Sequence, residues 1–284
     1  MKRKWVQLIS TIIHNGYPGF LITHNIYSGI FKNFCAPGLN CHSCPASLFA
    51  CPIGILQNFF ISVKNLPWHF LIGTFSYIVS FFLIFGLLLG RFICGWLCPF
   101  GFFQELLYKI PFLKRTFFLP YQLEKKLKIL IFLFFIVILP LSISNELGYG
   151  ILWFCKYLCP AGTLEAGYFN LILQTHLFSL IGFIFLIKTL FLIFIIFLCL
   201  MQFRFFCKNL CPLGFIYGLF NTIGFFKLHL TQNNCNSCKI CEKVCPFNLS
   251  IPEELNSIEC IRCLNCLKIC PTKAITIKFN KNFS

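Results

Sequence analysis

Long uncharged runs alternate with short segments rich in cysteine, glycine and basic residues along this chain. Phe70 to Gly90 passes without a single charge, and Leu177 to Phe203 carries only Lys188. Ile129 to Ser144 is shorter and contains Pro140, while Trp5 to Ile22 is interrupted by His14, Asn15, Gly16 and Pro18. A spanning helix needs about 20 predominantly apolar residues, because lipid offers backbone polar groups no other partner. The pattern predicts an α-helical membrane protein with four transmembrane helices, at about 5–25, 69–90, 127–146 and 180–203. A signal peptide competes for residues 1–22, but no small-residue cleavage site follows, so an uncleaved helix is expected.

Charge orients these runs. Lys2, Arg3 and Lys4 open the chain, and Arg91, Lys109, Lys114, Arg115, Lys125 and Lys126 crowd the segment after the second run. Residues 145–176 hold only Lys156 beside two glutamates, and the segment between the first two runs has only Lys32 and Lys64. The positive-inside rule then gives a multi-pass protein of the cytoplasmic (inner) membrane with both termini in the cytoplasm. Should the first run not cross, residues 26–67 move inside. Lys188 is either a functional intramembrane charge or a side chain snorkelling to the outer face.

Composition supports the membrane assignment. The chain is 58% hydrophobic and 11% charged, with 39 phenylalanines, where soluble domains carry about a quarter charged residues. The net charge of +16 flanks apolar runs and accompanies no nucleic-acid motif, so lipid rather than nucleic acid is the expected partner.

Nineteen cysteines remain to be explained, and all but Cys199 fall in short-spaced clusters. A disulfide-stapled secreted domain fits poorly. From Cys235 the chain reads CNSCKICEKVCP, and from Cys260 CIRCLNCLKICP. Each is the C-x2-C-x2-C-x3-C-P run that holds [4Fe–4S] clusters in bacterial ferredoxins, with the fourth cysteine crossing to the other cluster. That places Cys235, Cys238, Cys241 and Cys270 on one cluster and Cys245, Cys260, Cys263 and Cys266 on the second. Zinc also uses C-x2-C pairs, but the doubled three-gap run is far more specific. Short apolar pieces such as Ala274–Ile277 suit a small α+β two-cluster ferredoxin-like domain over residues 229–284, after a membrane domain over 1–228.

The other cysteines repeat Cys-Pro-x-Gly, at Cys51, Cys98, Cys159 and Cys211, and the last three have a second cysteine four residues upstream. GRFICGWLCPFGF and FRFFCKNLCPLGF form an internal repeat. If each pair lies on a helix, i and i+4 share a face and present two sulfurs together. Proline then starts the next helix, and glycine permits close approach. Cys94, Cys98, Cys207 and Cys211 would sit at the cytoplasmic ends of the second and fourth spans as a candidate inner cluster. Cys35, Cys41, Cys44, Cys51, Cys155 and Cys159 fall on the outer side, as a candidate cluster, a disulfide or a catalytic thiol pair. His42, between Cys41 and Cys44, could tune or ligate a metal. His14, His24, His69, His176 and His229 are scattered and read as ordinary packed or interfacial residues.

These residues carry a family resemblance. Spans with Cys-x3-Cys-Pro pairs at 94/98 and 207/211, followed by eight ferredoxin cysteines, resemble the NapH/MauN-type membrane ferredoxins, the quinol dehydrogenase membrane components. The resemblance covers nearly the whole chain. It implies four spans, clusters facing the cytoplasm, and electron transfer between the quinone pool or a cytoplasmic donor and a partner redox protein. It makes the chain an electron-transfer component rather than a self-contained enzyme. The extra CAPGLNCHSCPASLFACPIG and CKYLCPAGTLE depart from that pattern and put nitrate reduction in doubt. Two [4Fe–4S] clusters are expected, with one or two more on the membrane cysteines and a quinone as a further cofactor. The rival is a cluster-dependent copper- or thiol-handling assembly factor (a metal reductase), because soft thiolates suit cuprous copper.

Overall fold

The computed structural model describes residues 2–114, 121–144 and 150–279. Its architecture is mostly helical, with a two-stranded antiparallel sheet near the C-terminus. Helix α1 (Arg3–His14) is amphipathic in an inverted sense, burying Gln7, Ser10 and His14 while Trp5, Ile9, Ile12 and Ile13 face outward. Inward-facing Gln7 donates to the Gly95 carbonyl at 3.0 Å and Ser10 to that of Leu97 at 2.8 Å. An apolar outer face over a bonded polar inner one suits a lipid environment.

The expected span at 5–25 is not one helix. Its 12 residues reach about 18 Å, short of the roughly 30 Å hydrocarbon layer. The helix ends at Asn15, Pro18 cannot supply a backbone donor to prolong it, and a separate turn follows at Phe20–Thr23.

Helix α2 (Pro52–Ser62) leads into α3 (Trp68–Leu89), and after it come α4 (Phe92–Trp96) and α5 (Pro99–Lys109). Helix α6 (Tyr121–Ile131) continues through a π-helical stretch, Phe132–Ile138, into Leu139–Ser142. Two π-helical pieces, Phe154–Leu158 and Gly162–Tyr168, precede α7 (Phe183–Met201). Then follow α8 (Phe205–Asn209) and α9 (Pro212–Ile223). Among the described residues, two helices are long and apolar enough to cross a membrane: α3 with 22 residues and α7 with 19. They match the expected spans at 69–90 and 180–203. The end of the expected span at 127–146 lies outside the described residues, as do Arg115 and Glu146, which entered the charge pattern.

Strands β1 (Phe226–Leu230) and β2 (Ile275–Phe279) pair with Leu228 opposite Ile277 and Leu230 opposite Ile275. The expected strand at Ala274–Ile277 thus falls on β2. Strand β1 starts just before residue 229, because its partner in the sheet belongs to the C-terminal unit. One apolar core joins α3, α5, α7 and α9, and a second fills the C-terminal unit around Leu228, Phe247 and Ile261. The largest fully buried side chains are three arginines, Arg91, Arg204 and Arg262. Buried charges persist only where they are paired and hydrogen-bonded, and these partners lead to the cysteines.

Candidate functional site

In the C-terminal unit the backbone repeats itself. Ser237 and Lys239 flank Cys238 with positive φ, and Arg262 and Leu264 flank Cys263 in the same way. Three residues beyond the fourth cysteine of each run, Asn248 and Lys273 are left-handed as well. Left-handed non-glycine residues are uncommon and concentrate at ligand clamps. The double repetition means that both loops follow the same backbone path. Cys235, Cys238, Cys241 and Cys270 border one cavity of 360 Å³. Cys245, Cys260, Cys263 and Cys266 border another, of 20 Å³. The structure therefore gathers the two crossed sets that the motif spacing groups together.

The four Cys-Pro-x-Gly motifs share one local design. Each cysteine immediately precedes a helix, and each proline occupies its first turn. The expectation that each cysteine pair rides on one helix is corrected. Cys94 lies within α4, whereas Cys98 is extended (φ −77°, ψ 116°) and caps α5. Cys207 and Cys211 divide likewise between α8 and the cap of α9. A residue before proline is driven out of the helical region, so the second cysteine of each pair has to sit on a break. The glycine N–H then turns back to the sulfur, Gly101 to Cys98 and Gly162 to Cys159, both at 3.3 Å.

The inner quartet is assembled by exchange between the two repeats. Arg91, three residues before Cys94, donates to the Cys207 carbonyl at 3.2 Å, and Arg204, three before Cys207, donates to the Cys94 carbonyl. The motif glycines leave room for this. A Cβ on Gly101 would lie 3.1 Å from Arg204, and one on Gly214 3.2 Å from Arg91. Cys94, Cys98, Cys207 and Cys211 are all buried and close enough to feel one another's charge. A hydrogen bond from Cys211 holds Cys207 toward the thiolate against its burial, and Arg204 and Gln104 reinforce this. Two triads supply counter-charge. Arg204 pairs with Glu105 at 2.7 Å, which Arg3 also meets at 2.8 Å. Arg91 pairs with Glu259 at 2.7 Å, which Lys128 also contacts. Four bases against two acids leave two positive charges over.

Glu259 immediately precedes Cys260, so the second triad fastens the C-terminal unit to the inner quartet. Burial alone would raise its carboxyl, but Arg91 and Lys128 hold it down to about 2. Around it, the 257–262 loop is bonded to the N-terminal unit by several groups. Asn221 donates to the carbonyls of Ser257 and Cys260 at 2.9 and 2.7 Å. Trp96 donates to that of Arg262 at 3.0 Å. A Cβ on Gly95, between Cys94 and Cys98, would lie 2.3 Å from the Ile261 oxygen. Only glycine permits that approach.

The outer cysteines are not carried a full span away from the inner ones. Cys35 N–H donates to the Tyr77 hydroxyl, near the middle of α3, at 3.0 Å. A Cβ on Gly38 would lie 2.6 Å from Cys98 Cα. Three residue steps lead from Gly38 to Cys41, at most about 11 Å of extended chain. The loop carrying Cys35 and Cys41 thus folds back toward the inner quartet, a path that lipid tolerates only for backbone buried in protein. Cys41, Cys51, Cys155 and Cys159 border a 470 Å³ cavity, also lined by His42 and Lys188. Lys188 donates to the Cys155 carbonyl at 3.3 Å, so it turns inward instead of snorkelling. Cys44 is buried near Lys32, whose Nζ meets the Ser47 carbonyl at 2.7 Å. Cys199, the one cysteine outside the clusters, is buried and lies 3.5 Å from Gln104.

Six residues after each motif cysteine stands a polar residue that the motif pattern alone left unremarked: Gln57, Gln104, Glu165 and Tyr217. Gln57 donates to Cys155 Sγ at 3.1 Å, and Gln104 to Cys207 Sγ at 3.0 Å. Glu165 accepts from Cys41 N–H at 2.6 Å, and Tyr217 donates to the Pro37 carbonyl at 2.9 Å. Burial pushes the Glu165 carboxyl up to about 8 despite that backbone bond. The signal was present as CPIGILQ and CPFGFFQ.

Among the described residues, no three His, Cys, Asp or Glu side chains converge as a single ion requires. A tetrahedral ion draws thiolates to about 2.3 Å from one centre. A cube spreads its four ligands over four irons. Buried thiols accepting N–H bonds, as here, fit such a group.

A family described as a 4Fe-4S binding domain matches residues 72–120 and 175–231, each segment holding one repeat. A second 4Fe-4S binding domain matches residues 254–276. Two uncharacterised proteins of Methanocaldococcus jannaschii are 33% and 31% identical to the chain. The first alignment covers 82% of this chain and 88% of the relative, the second 80% and 82%. A protein of Escherichia coli K12 named as an electron transport protein, YccM, is 27% identical over 70% of this chain and 54% of its own. No solved structure matches.

Proposed function

The chain belongs to the family of the two archaeal proteins, and from that premise we propose that it is a membrane-embedded iron–sulfur electron-transfer protein of the NapH/MauN type. It passes electrons between the quinone pool or a cytoplasmic donor and a partner redox protein. The observation that carries this reading is the docking of the 257–262 loop onto both cysteine repeats, through Glu259, Asn221 and Gly95. It sets a ferredoxin ligand loop against the inner quartet with no solvent layer to cross.

The four cysteines of each ferredoxin set would hold one [4Fe–4S] cluster, and Cys94, Cys98, Cys207 and Cys211 a third. Such clusters supply one-electron chemistry, with potentials set by charge and by hydrogen bonds to sulfur. The chain's part is to hold and tune. Four thiolates on an oxidised cube carry a net charge of about −2, which the two surplus positive charges of the arginine triads offset. Gln104 and Gly101 add N–H bonds to sulfur.

Four crossings remain the proposed topology, with the first one broken. Helices α1 and α2 would make it as two half-length pieces, the cysteine-bearing loop buried between them, and the continuous helical run 121–142 would make the third. The likeness to YccM, named for electron transport, supports the electron-transfer reading.

Anaerobic addition of a quinol to the protein in lipid vesicles tests the function. The expected result is bleaching of the iron–sulfur absorption, reversed by an oxidised quinone. Full reduction by dithionite with no response to any quinol would sink the quinone arm of the proposal.

A further inference from the structure

Resting on the electron-transfer reading and extending it, we propose that Cys41, Cys51, Cys155 and Cys159 hold a [4Fe–4S] cluster of their own, built on the plan of the inner quartet. Six cysteines compete for this site in the sequence, and the structure separates them. These four border the 470 Å³ cavity, and neither Cys35 nor Cys44 does. Cys35 is turned away toward Tyr77 and borders a different, largely apolar cavity.

The parallel with the inner quartet is residue by residue. Gly101 N–H meets Cys98 and Gly162 N–H meets Cys159, at the same 3.3 Å. Gln104, six residues after Cys98, reaches Cys207, the upstream cysteine of the facing pair. Gln57, six after Cys51, reaches Cys155, the upstream cysteine of its own facing pair. In both cases the donor is an amide nitrogen close to 3 Å from sulfur. One place differs, because the position four before Cys51 is Ser47. Cys41 supplies the missing thiol, held by the bond from its N–H to Glu165 on the facing motif.

The space between the sulfurs is real. A Cβ on Gly162 would sit 3.6 Å from Cys159 Sγ and 3.8 Å from Cys41 Sγ, in ordinary contact with both. Lys188, reaching the Cys155 carbonyl, and Lys32, close to Cys41, bring positive charge to the four thiolates. Leu152, Leu171 and Phe185 add apolar wall to the cavity.

The full chain, purified without oxygen, tests this by iron and acid-labile sulfide content together with low-temperature electron paramagnetic resonance. With all four sites filled the count is about 16 irons per chain. The double variant Cys155→Ser/Cys159→Ser should hold about four fewer while keeping the ferredoxin signals, which show that it has folded. Cys35→Ser/Cys44→Ser should keep the full count. The proposal falls if the 155/159 variant retains the wild-type count, or if the 35/44 variant loses as much iron. A wild-type count of about 12, unchanged in the 155/159 variant, would remove the outer site and leave the electron-transfer reading standing. Gln57→Leu gives an independent readout, since loss of an N–H bond to sulfur should lower one cluster's midpoint potential at constant iron. Unchanged potentials throughout would count against Cys155 as a ligand.

Discussion

Replacing Glu259 with alanine should destabilise the protein by about 3–5 kcal/mol, because it leaves two buried cations without their carboxylate. Arg91 is 1% exposed and Lys128 is fully buried, and both meet this one side chain. Glutamine would keep the shape and should lose less. The effect has a location as well as a size. Glu259 fastens the 257–262 loop to Arg91, so the variant should loosen the C-terminal unit first. Urea unfolding of detergent-solubilised protein, followed by the release of the C-terminal unit to protease, measures both. A loss below about 1 kcal/mol, the worth of an exposed pair, would show that this triad does not hold the two units together.

The second large effect concerns the inner quartet. Cys94→Ser combined with Cys207→Ser removes one ligand from each repeat and should lower iron by about four per chain. Quinol-driven bleaching of the ferredoxin clusters should then disappear, while dithionite still reduces them from solution. Arg91 and Arg204 would face fewer negative charges in the variant, so some loss of stability is also expected. Bleaching at the wild-type extent would mean that electrons reach the C-terminal unit by another way.

How far the sequence foretold this depends on the range of the interactions involved. The ferredoxin ligands are fixed by gaps of two and three residues, and such local spacing survives into the structure as two separate cavities. The inner quartet was legible because two similar segments repeat, although the pairing of Arg91 with Cys207 and of Arg204 with Cys94 is a tertiary exchange. Cys94 and Cys98 lie near the facing pair without sharing one helix face. Pro99 forces a break that spacing alone does not weigh. The run at 5–25 misled because an apolar outer face looks like a span until its buried Gln7 and Ser10 are seen to bond to Gly95 and Leu97. Choosing Cys41 over Cys44 depends on Glu165, more than a hundred residues away in sequence.

Gln57 and Gln104 are the instructive omission. Both stand in plain view in the motif, yet a glutamine inside an apolar helix carries no chemistry until its amide is found beside a facing cysteine. Hydrogen bonds to sulfur tune cluster potential, so with clusters bound the two residues would act on the inner and outer sites in the same direction.

The central claim is that the membrane cysteines, and not the ferredoxin cysteines alone, hold iron–sulfur clusters. Iron and acid-labile sulfide per chain, measured on wild-type protein purified without oxygen, test it most directly. The account predicts about 16 of each, or about 12 if only the inner quartet is filled. A count of about 8, the content of the two ferredoxin clusters alone, would contradict it.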